Sequence, residues 1–249
     1  MKHWKITDPG LVRRENQDAF GFAQLSGGYT VAVVCDGMGG ARAGNVASRL
    51  ACEVFCGEVC RSLRDGMTEA EEQDVLCTAA KLANISVYEH AQLSEEFRGM
   101  GTTLVAALIQ GDCATVINVG DSRAYRFDGE AMHQISEDHS YVEEMRRRGK
   151  ITEADARTHP QKNLITRAVG VEPYVEGDLF EVRLTEKDML LLCSDGLTGM
   201  AEDSRIAEVL ANAPTLELAG DALLQLALDG GGRDNITVAL FTLGKKQGA

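Results

Sequence analysis

No stretch of this chain is apolar for long enough to span a bilayer, and its opening residues, MKHWKITDPG, lack the hydrophobic core of a secretion signal. The expectation is a cytoplasmic protein that does not engage membranes. The seven cysteines are odd in number and include no CxxC pair, so neither a disulfide framework nor a zinc ribbon is indicated. Aromatic residues make up 5%, with no cluster on which bases could stack. Lys and Arg number 25 against 38 Asp and Glu, a formal net charge of -13, and they do not cluster strongly. Non-specific nucleic-acid binding is therefore excluded, because it needs basic side chains to neutralise phosphates. An acid excess fits instead a site that gathers carboxylates to hold cations. There are no repeats, no low-complexity tracts and no convincing linker, so residues 1–249 are read as one domain with a sizeable core.

What is present begins with Tyr29 to Gly40, YTVAVVCDGMGG. Val31 to Cys35 reads as a fully buried strand that delivers a carboxylate, Asp36, followed by a glycine-rich turn over Gly37 to Gly40. Residues 3–8 and Ala19 to Leu25 read as two earlier strands, with Ser26-Gly27-Gly28 closing a hairpin into the central one. Asn45 to Cys60 has helical character, with Val46, Leu50, Val54 and Phe55 on one side. Thr68 to Glu71 is a capping box that opens a second helix to about Leu93, its buried stripe Val75, Ala79, Leu82, Ala83 and Val87. Thr102 to Gln110, Cys113 to Val119, Arg123 to Phe127 and Ala131 to Ile135 form an antiparallel meander by their turn chemistry. Residues 139–162 are polar, with two short helical pieces and an Arg146-Arg147-Arg148 step, and read as an excursion over the sheet edge. Strands resume at Asn163–Val169, Val175–Arg183 and Asp188–Cys193. Helices over 203–212 and 215–228 follow, the latter with Ala219, Ala222, Leu223 and Leu226 on one face. A last strand covers Asn235 to Leu243. Helix pairs separated by runs of antiparallel strands define an α+β sandwich: two packed antiparallel sheets with a helix pair outside each.

Three acids repeat the setting of Asp36. Asp195 ends a strand in LLLCSDGL, Asp234 opens one in GGGRDNITVAL, and Asp121 sits in the Gly-Asp turn of NVGDSR. Any one Asp-Gly is usually only a turn. If these strand ends converge, the carboxylates cannot all ionise without cations, and Mg²⁺ or Mn²⁺ are the natural partners of oxygen ligands. Two such ions about 3.5–4 Å apart suit in-line displacement at phosphorus, through a bridging water made acidic enough to attack. A fixed cation would hold the substrate phosphate, and Arg13, just before Asn16-Gln17-Asp18, is the candidate. Cys52, Cys56 and Cys60 recur every four residues on one helix face. They could grip a metal in pairs, but inward packing of small side chains is the preferred reading.

Taken together, RRENQDAF (Arg13 to Phe20), VVCDGMGG (Val33 to Gly40), GMGTTL (Gly99 to Leu104), NVGDSRAY (Asn118 to Tyr125), EDHS (Glu137 to Ser140), NLITRAVG (Asn163 to Gly170), CSDGL (Cys193 to Leu197) and GGRDNITV (Gly231 to Val238) resemble the metal-dependent Ser/Thr protein phosphatases of the type 2C (PPM) family, in their compact bacterial form. The stretches come in the family's order over nearly the whole chain. The resemblance implies a four-layer α-β-β-α sandwich and hydrolysis of phosphoserine and phosphothreonine. It implies a binuclear Mn²⁺ or Mg²⁺ centre held by Asp36, the carbonyl of Gly37, Asp195 and Asp234, with Asp18 at or just behind that shell. Asp121 would help bind a third, looser ion, Arg13 would take the phosphate, and residues 140–168 would be a mobile flap. The implied partners are phosphorylated proteins, among them a Ser/Thr kinase and its substrates, with the chain acting as a monomer in signalling.

Two departures stand out. Gln17 replaces a frequent Glu, so the second ion would be held through waters or more weakly. Met38 stands where many eukaryotic members have a His proposed as general acid. His139 and His159 are the nearest alternatives by sequence, but both are read as structural or surface residues. The rivals are a regulatory module on the same fold and a metal-dependent phosphodiesterase acting on nucleotides. The arginines at 146–148 are expected to help select phosphopeptides.

Overall fold

The computed structural model describes residues 1–39 and 43–244. Its strands form two antiparallel sheets. One carries β1 (Lys2–Asp8), β11 (Ile236–Thr242), β10 (Met189–Cys193), β7 (Arg123–Phe127) and β8 (Met132–Gln134) in that order. The other carries β2 (Asp18–Gln24), β3 (Tyr29–Met38), β5 (Leu104–Gln110), β6 (Cys113–Val119) and β9 (Asp178–Arg183), with β4 (Gly101–Thr102) on the end of β3. Helices α1 (Ala43–Ser62) and α2 (Glu69–Ala91) cover the second sheet. The short helices α3 (Tyr141–Arg147) and α4 (Glu153–Thr158) form the expected excursion after β8, and helices α6 (Asp203–Asn212) and α7 (Leu216–Asp229) cover the first sheet, beside the one-turn α5 (Asp195–Thr198). The expected α+β sandwich of four layers is what the chain adopts. No described helix is long and apolar enough to cross a membrane.

Alternation explains why β3 has no polar face. Val31, Val33 and Cys35 point into the helix layer, whereas Ala32 and Val34 point between the sheets. Because both faces are covered, a strand in an antiparallel sheet here reads as a continuous apolar run. Its last acid, Asp36, follows the even-numbered set toward the gap between the sheets. Thr68 caps α2 as predicted: its hydroxyl accepts from the Glu71 N–H at 3.3 Å, and the Glu71 carboxylate accepts from the Thr68 N–H at 2.8 Å.

Several expectations are corrected. The segment 102–135 is not one meander. After β6 the chain crosses to the other sheet at Gly120-Asp121-Ser122. Both backbone groups of Gly120 are engaged by His139, its N–H donating to Nδ1 at 3.0 Å and its carbonyl accepting the His139 N–H at 2.9 Å, so no tight hairpin forms there. Asn163–Val169 is not a strand; single bridges, Ser140 to Ile165 and Thr102 to Val169, pin it in passing. Asp195 does not end β10 but opens α5. The glycine turn expected over Gly37 to Gly40 starts later, since Gly37 and Met38 still pair with Thr102 and Gly101; Gly40 lies outside the described residues. β9 begins at Asp178, three residues after the expected Val175.

Helix faces also shift. In α1 the residues that meet the sheet include Ala47, Ala51, Cys52 and Phe55, while Val46, Leu50 and Val54 flank the contact half-buried. Small side chains let the helix approach the sheet closely. In α2 Leu76 is buried and Leu82 only half-buried. In α7 Ala222 is exposed and Gly220 is buried, its missing side chain leaving room for the Trp4 indole. The cysteines of α1 are not uniformly inward: Cys52 is buried, Cys56 half-buried and Cys60 exposed.

Candidate active site

Two sheet ends meet at a cleft of about 530 Å³ lined by Arg13, Gln17, Asp36, Gly37, Met38, Gly39, Thr103, Asp121, Asn163, Ile165, Asp195 and Asp234. Of the residues singled out from sequence, Arg13, Asp36, Gly37, Asp121, Asp195 and Asp234 line it. Asp18 lies behind it, directly opposite Asp36 across the β2–β3 ladder.

Local chemistry holds each acid in place. In the β3 ladder Thr103 stands opposite Asp36, its N–H donating to the Asp36 carbonyl at 2.9 Å. The Asp36 N–H, however, donates to the Thr103 hydroxyl at 2.9 Å. A side chain thus stands in for the ladder carbonyl, and that substitution marks the break between β4 and β5. Thr102 donates its hydroxyl to the same Asp36 carbonyl at 2.8 Å. Asp18 stitches the two sheets together. Its Oδ2 accepts from the hydroxyls of Thr237 at 2.6 Å and Ser194 at 2.7 Å, both on the opposite sheet or at its edge. Asn235 ties down the loop before Asp18, accepting from the Gln17 N–H at 2.7 Å and donating to the carbonyls of Pro9 and Glu15 at 3.0 Å. Sequence reasoning assigned no role to Thr103, Ser194, Asn235 or Thr237. The signal available was that Ser194, Asn235 and Thr237 lie in the same motifs as Asp195 and Asp234, and that Thr103 lies in GMGTTL, a motif without an acid.

The glycine after each strand-end aspartate has a steric cause. A Cβ on Gly37 would meet the Gly44 carbonyl oxygen at 2.0 Å, and one on Gly196 would meet that of Asn235 at 1.9 Å. Only glycine lets these backbones pass so close. The first contact seats the start of α1 against the end of β3; the second draws Asp195 and Asp234 to one place.

Electrostatically the cleft is short of positive charge. Burial raises the Asp36 carboxyl well above the usual carboxylate range, and the neighbouring Asp18 and Asp195 push the same way. Burial, then Asp195 and Asp138, raise Asp121. Burial, then Asp234, raise Asp195 against a hydrogen bond from Asp36. Asp18 is pushed up to about 7, chiefly by burial, although the Thr237 and Ser194 hydroxyls pull it back. The Arg13 guanidinium, half-exposed at the rim, donates to Asp234 Oδ2 at 2.6 Å, and that bond raises its own pKa. Among the described residues, no three acid, His or Cys side chains already stand as a closed cage for one ion. The carboxylates line a shared space. Two buried oxygens, Asp18 Oδ1 and Asp195 Oδ1, have no protein partner. An all-oxygen set with unpartnered buried oxygens, its carboxyls raised first by burial and then by their acid neighbours, fits a hard divalent cation and does not fit a soft one.

His139 is committed to structure. Its Nδ1 takes the Gly120 N–H and its Nε2 meets Asp178 at 3.1 Å. His159 stacks obliquely near Tyr141 and does not line the cleft. Met38 lines it and has no proton to give.

The family model for protein phosphatase 2C matches residues 13–227, and the chain belongs to that family. It is therefore an enzyme, a protein phosphatase. It is 40% identical over 234 residues to the serine/threonine phosphatase stp of Listeria innocua, covering 94% of this chain and 92% of that one. It is 36% identical over 241 residues to the protein phosphatase PhpP of Streptococcus pneumoniae, covering 97% of each. Its fold superposes on the crystal structure of the serine/threonine phosphatase Stp1 from Staphylococcus aureus with a TM-score of 0.90 at 39% identity, covering 97% of this chain and 94% of that one.

Proposed function

We propose that this chain is a metal-dependent phosphatase that hydrolyses phosphoserine and phosphothreonine in proteins, and that it works in the cytoplasm as a monomer opposite a Ser/Thr kinase. The observation that carries the metal dependence is the crowding of Asp36, Asp121, Asp195 and Asp234 around one cleft with a single arginine. The names of the relatives support the serine/threonine specificity.

In this reading Asp36, the Gly37 carbonyl, Asp195 and Asp234 would hold two Mn²⁺ or Mg²⁺ ions, Asp121 a third and looser one, and Asp18 would stand behind them. Such ions, when bound, would supply an activated water and offset charge on the transferring phosphoryl group. The chain's own residues do the rest. Thr103 and Thr102 fix Asp36 through its backbone. Asn235 fixes the loop that carries Arg13 and Gln17. Arg13 spends one of its five N–H donors on Asp234 and offers others to the phosphate oxygens at the rim. Asn163 and Ile165 of the proposed flap wall the cleft. With Met38 unable to donate and His139 already engaged, the leaving alkoxide takes its proton from water.

The test is turnover of a phosphothreonine peptide and of p-nitrophenyl phosphate. EDTA should abolish both and Mn²⁺ should restore them. Asp36→Asn and Asp234→Asn should each lower turnover by at least about 10²-fold, the scale of losing one electrostatic stabiliser of the transition state. Near-normal rates in either variant would sink the assignment. Faster cleavage of bis-p-nitrophenyl phosphate than of the monoester would point to a phosphodiesterase instead.

A further inference from the structure

Away from the cleft, α1 carries Cys52 and Cys56 one turn apart, above Gly21 of β2. The missing Gly21 side chain leaves a gap into which both sulfurs face: a Cβ there would meet Cys56 Sγ at 2.6 Å and Cys52 Sγ at 2.7 Å. The gap opens on a surface cavity of about 450 Å³ lined by both cysteines with His3, Lys5, Phe20, Gly21, Phe22 and Glu53. The ammonium of Lys5 lies 4.5 Å from the centre of the Phe20 ring, and His3 stacks on Phe22 at 4.0 Å. A hydrogen bond between the two thiols holds Cys52 below its usual pKa and pushes Cys56 up, so the pair gives up one proton more readily than two. Cys60, the next in the series, is exposed and does not line this cavity.

Two familiar fates of paired cysteines fit poorly. Residues four apart on a helix have Cβ atoms about 5–6 Å apart. A disulfide needs about 3.5–4.5 Å, so closing one would unwind α1. Structural zinc takes four ligands, and among the described residues no group of three His, Cys, Asp or Glu stands together to hold an ion. A soft ion bound linearly between two thiolates spans a wider gap and needs no further ligand. We propose that Cys52 and Cys56 form a binding site for one soft, two-coordinate metal ion of the Cu(I) type, separate from the carboxylate cleft. On binding, two S–metal bonds form and the thiol protons leave to solvent; no electron is transferred.

The experiment is an anaerobic titration of the full chain with Cu(I) supplied as its bicinchoninate chelate. One equivalent should transfer to the protein. Cys52→Ser and Cys56→Ser should each weaken capture by at least about tenfold, and Cys60→Ser and Cys77→Ser should not. Because Cys52 packs against the sheet, a second measurement uses the unaltered chain: one equivalent of Cu(I) should protect Cys56 from alkylation, read by peptide mass, and leave Cys60 reactive. Capture that is unchanged in both the Cys52 and Cys56 variants, or Cu(I) that leaves Cys56 as reactive as before, overturns the proposal.

Discussion

Around the cleft, Asp36, Asp121, Asp195 and Asp234 share Arg13 as the one basic residue among the described lining. In the neighbouring cavity of about 570 Å³, under residues 140–163, three of the lining acids are matched: Arg123 meets Asp138 at 2.6 Å, Arg146 meets Glu143 at 2.6 Å and Arg147 meets Glu137 at 2.5 Å. The two spaces share Asp121, Asn163 and Asp195 as a wall. Both spaces hold several acids, but their compensation differs. In the second region ion pairs within the chain already offset Glu137, Asp138 and Glu143. In the first the chain leaves the balance to protons or to ions from outside. Uncompensated burial, rather than the mere number of acids, is what marks a site here.

The largest stability effect should come from breaking a matched pair. Arg123→Met would leave Asp138 largely buried and unpaired, and should cost about 3 kcal/mol, read by urea unfolding. Asp138→Asn alongside it should recover part of that loss; no recovery would mean the arginine acts by packing.

On the unmatched side the sign reverses. Burial raises the Asp18 carboxyl to about 7 in the fold from 3.8 in the open chain, so between those values the folded state keeps a proton that the unfolded state has lost. Stability contributed by that proton is present at acid pH and disappears as pH rises through about 7. In EDTA, the advantage of Asp18→Asn over the parent should therefore grow from pH 5 to pH 8. An unchanging difference would refute the raised carboxyl.

A smaller effect is expected at Asp36. In EDTA at pH 8, Asp36→Asn should raise the melting temperature by about 2–4 °C, the response to roughly 1 kcal/mol in a chain of this size. Mn²⁺ should then stabilise the parent and leave the variant unmoved. A variant that melts lower in EDTA would show that Asp36 is compensated after all.

The smallest change concerns the exposed arginines. Neutralising Arg146, Arg147 and Arg148 removes surface pairs, each worth a few tenths of a kcal/mol, so stability should barely shift. Preference among phosphopeptides should shift more, since Arg146 and Arg147 line the adjoining cavity. Equal preference before and after would remove the peptide-selecting role.

Much of this was legible beforehand where local chemistry decides. The capping box at Thr68, the boundaries of β6 and β7, and the two helices after Asp195 follow from turn residues and periodicity. The division of 102–135 between two sheets did not, because it depends on His139, nineteen positions away, occupying the backbone of Gly120. The false strand at Asn163–Val169 has the composition of a strand but finds only isolated bridging partners.

The order of apolar runs, two of them leading into an acid and a glycine and a third preceded by glycines and an acid, was by itself enough to fix the architecture class and to nominate Asp36, Asp195 and Asp234, since strand alternation and the need for glycine at close backbone contacts are local properties. Which acids are left without a counter-charge was decided only by tertiary structure. That depends on which arginine lies within hydrogen-bond reach of which carboxylate, and residues far apart in sequence, such as Arg13 and Asp234, meet only when the two sheets close on each other.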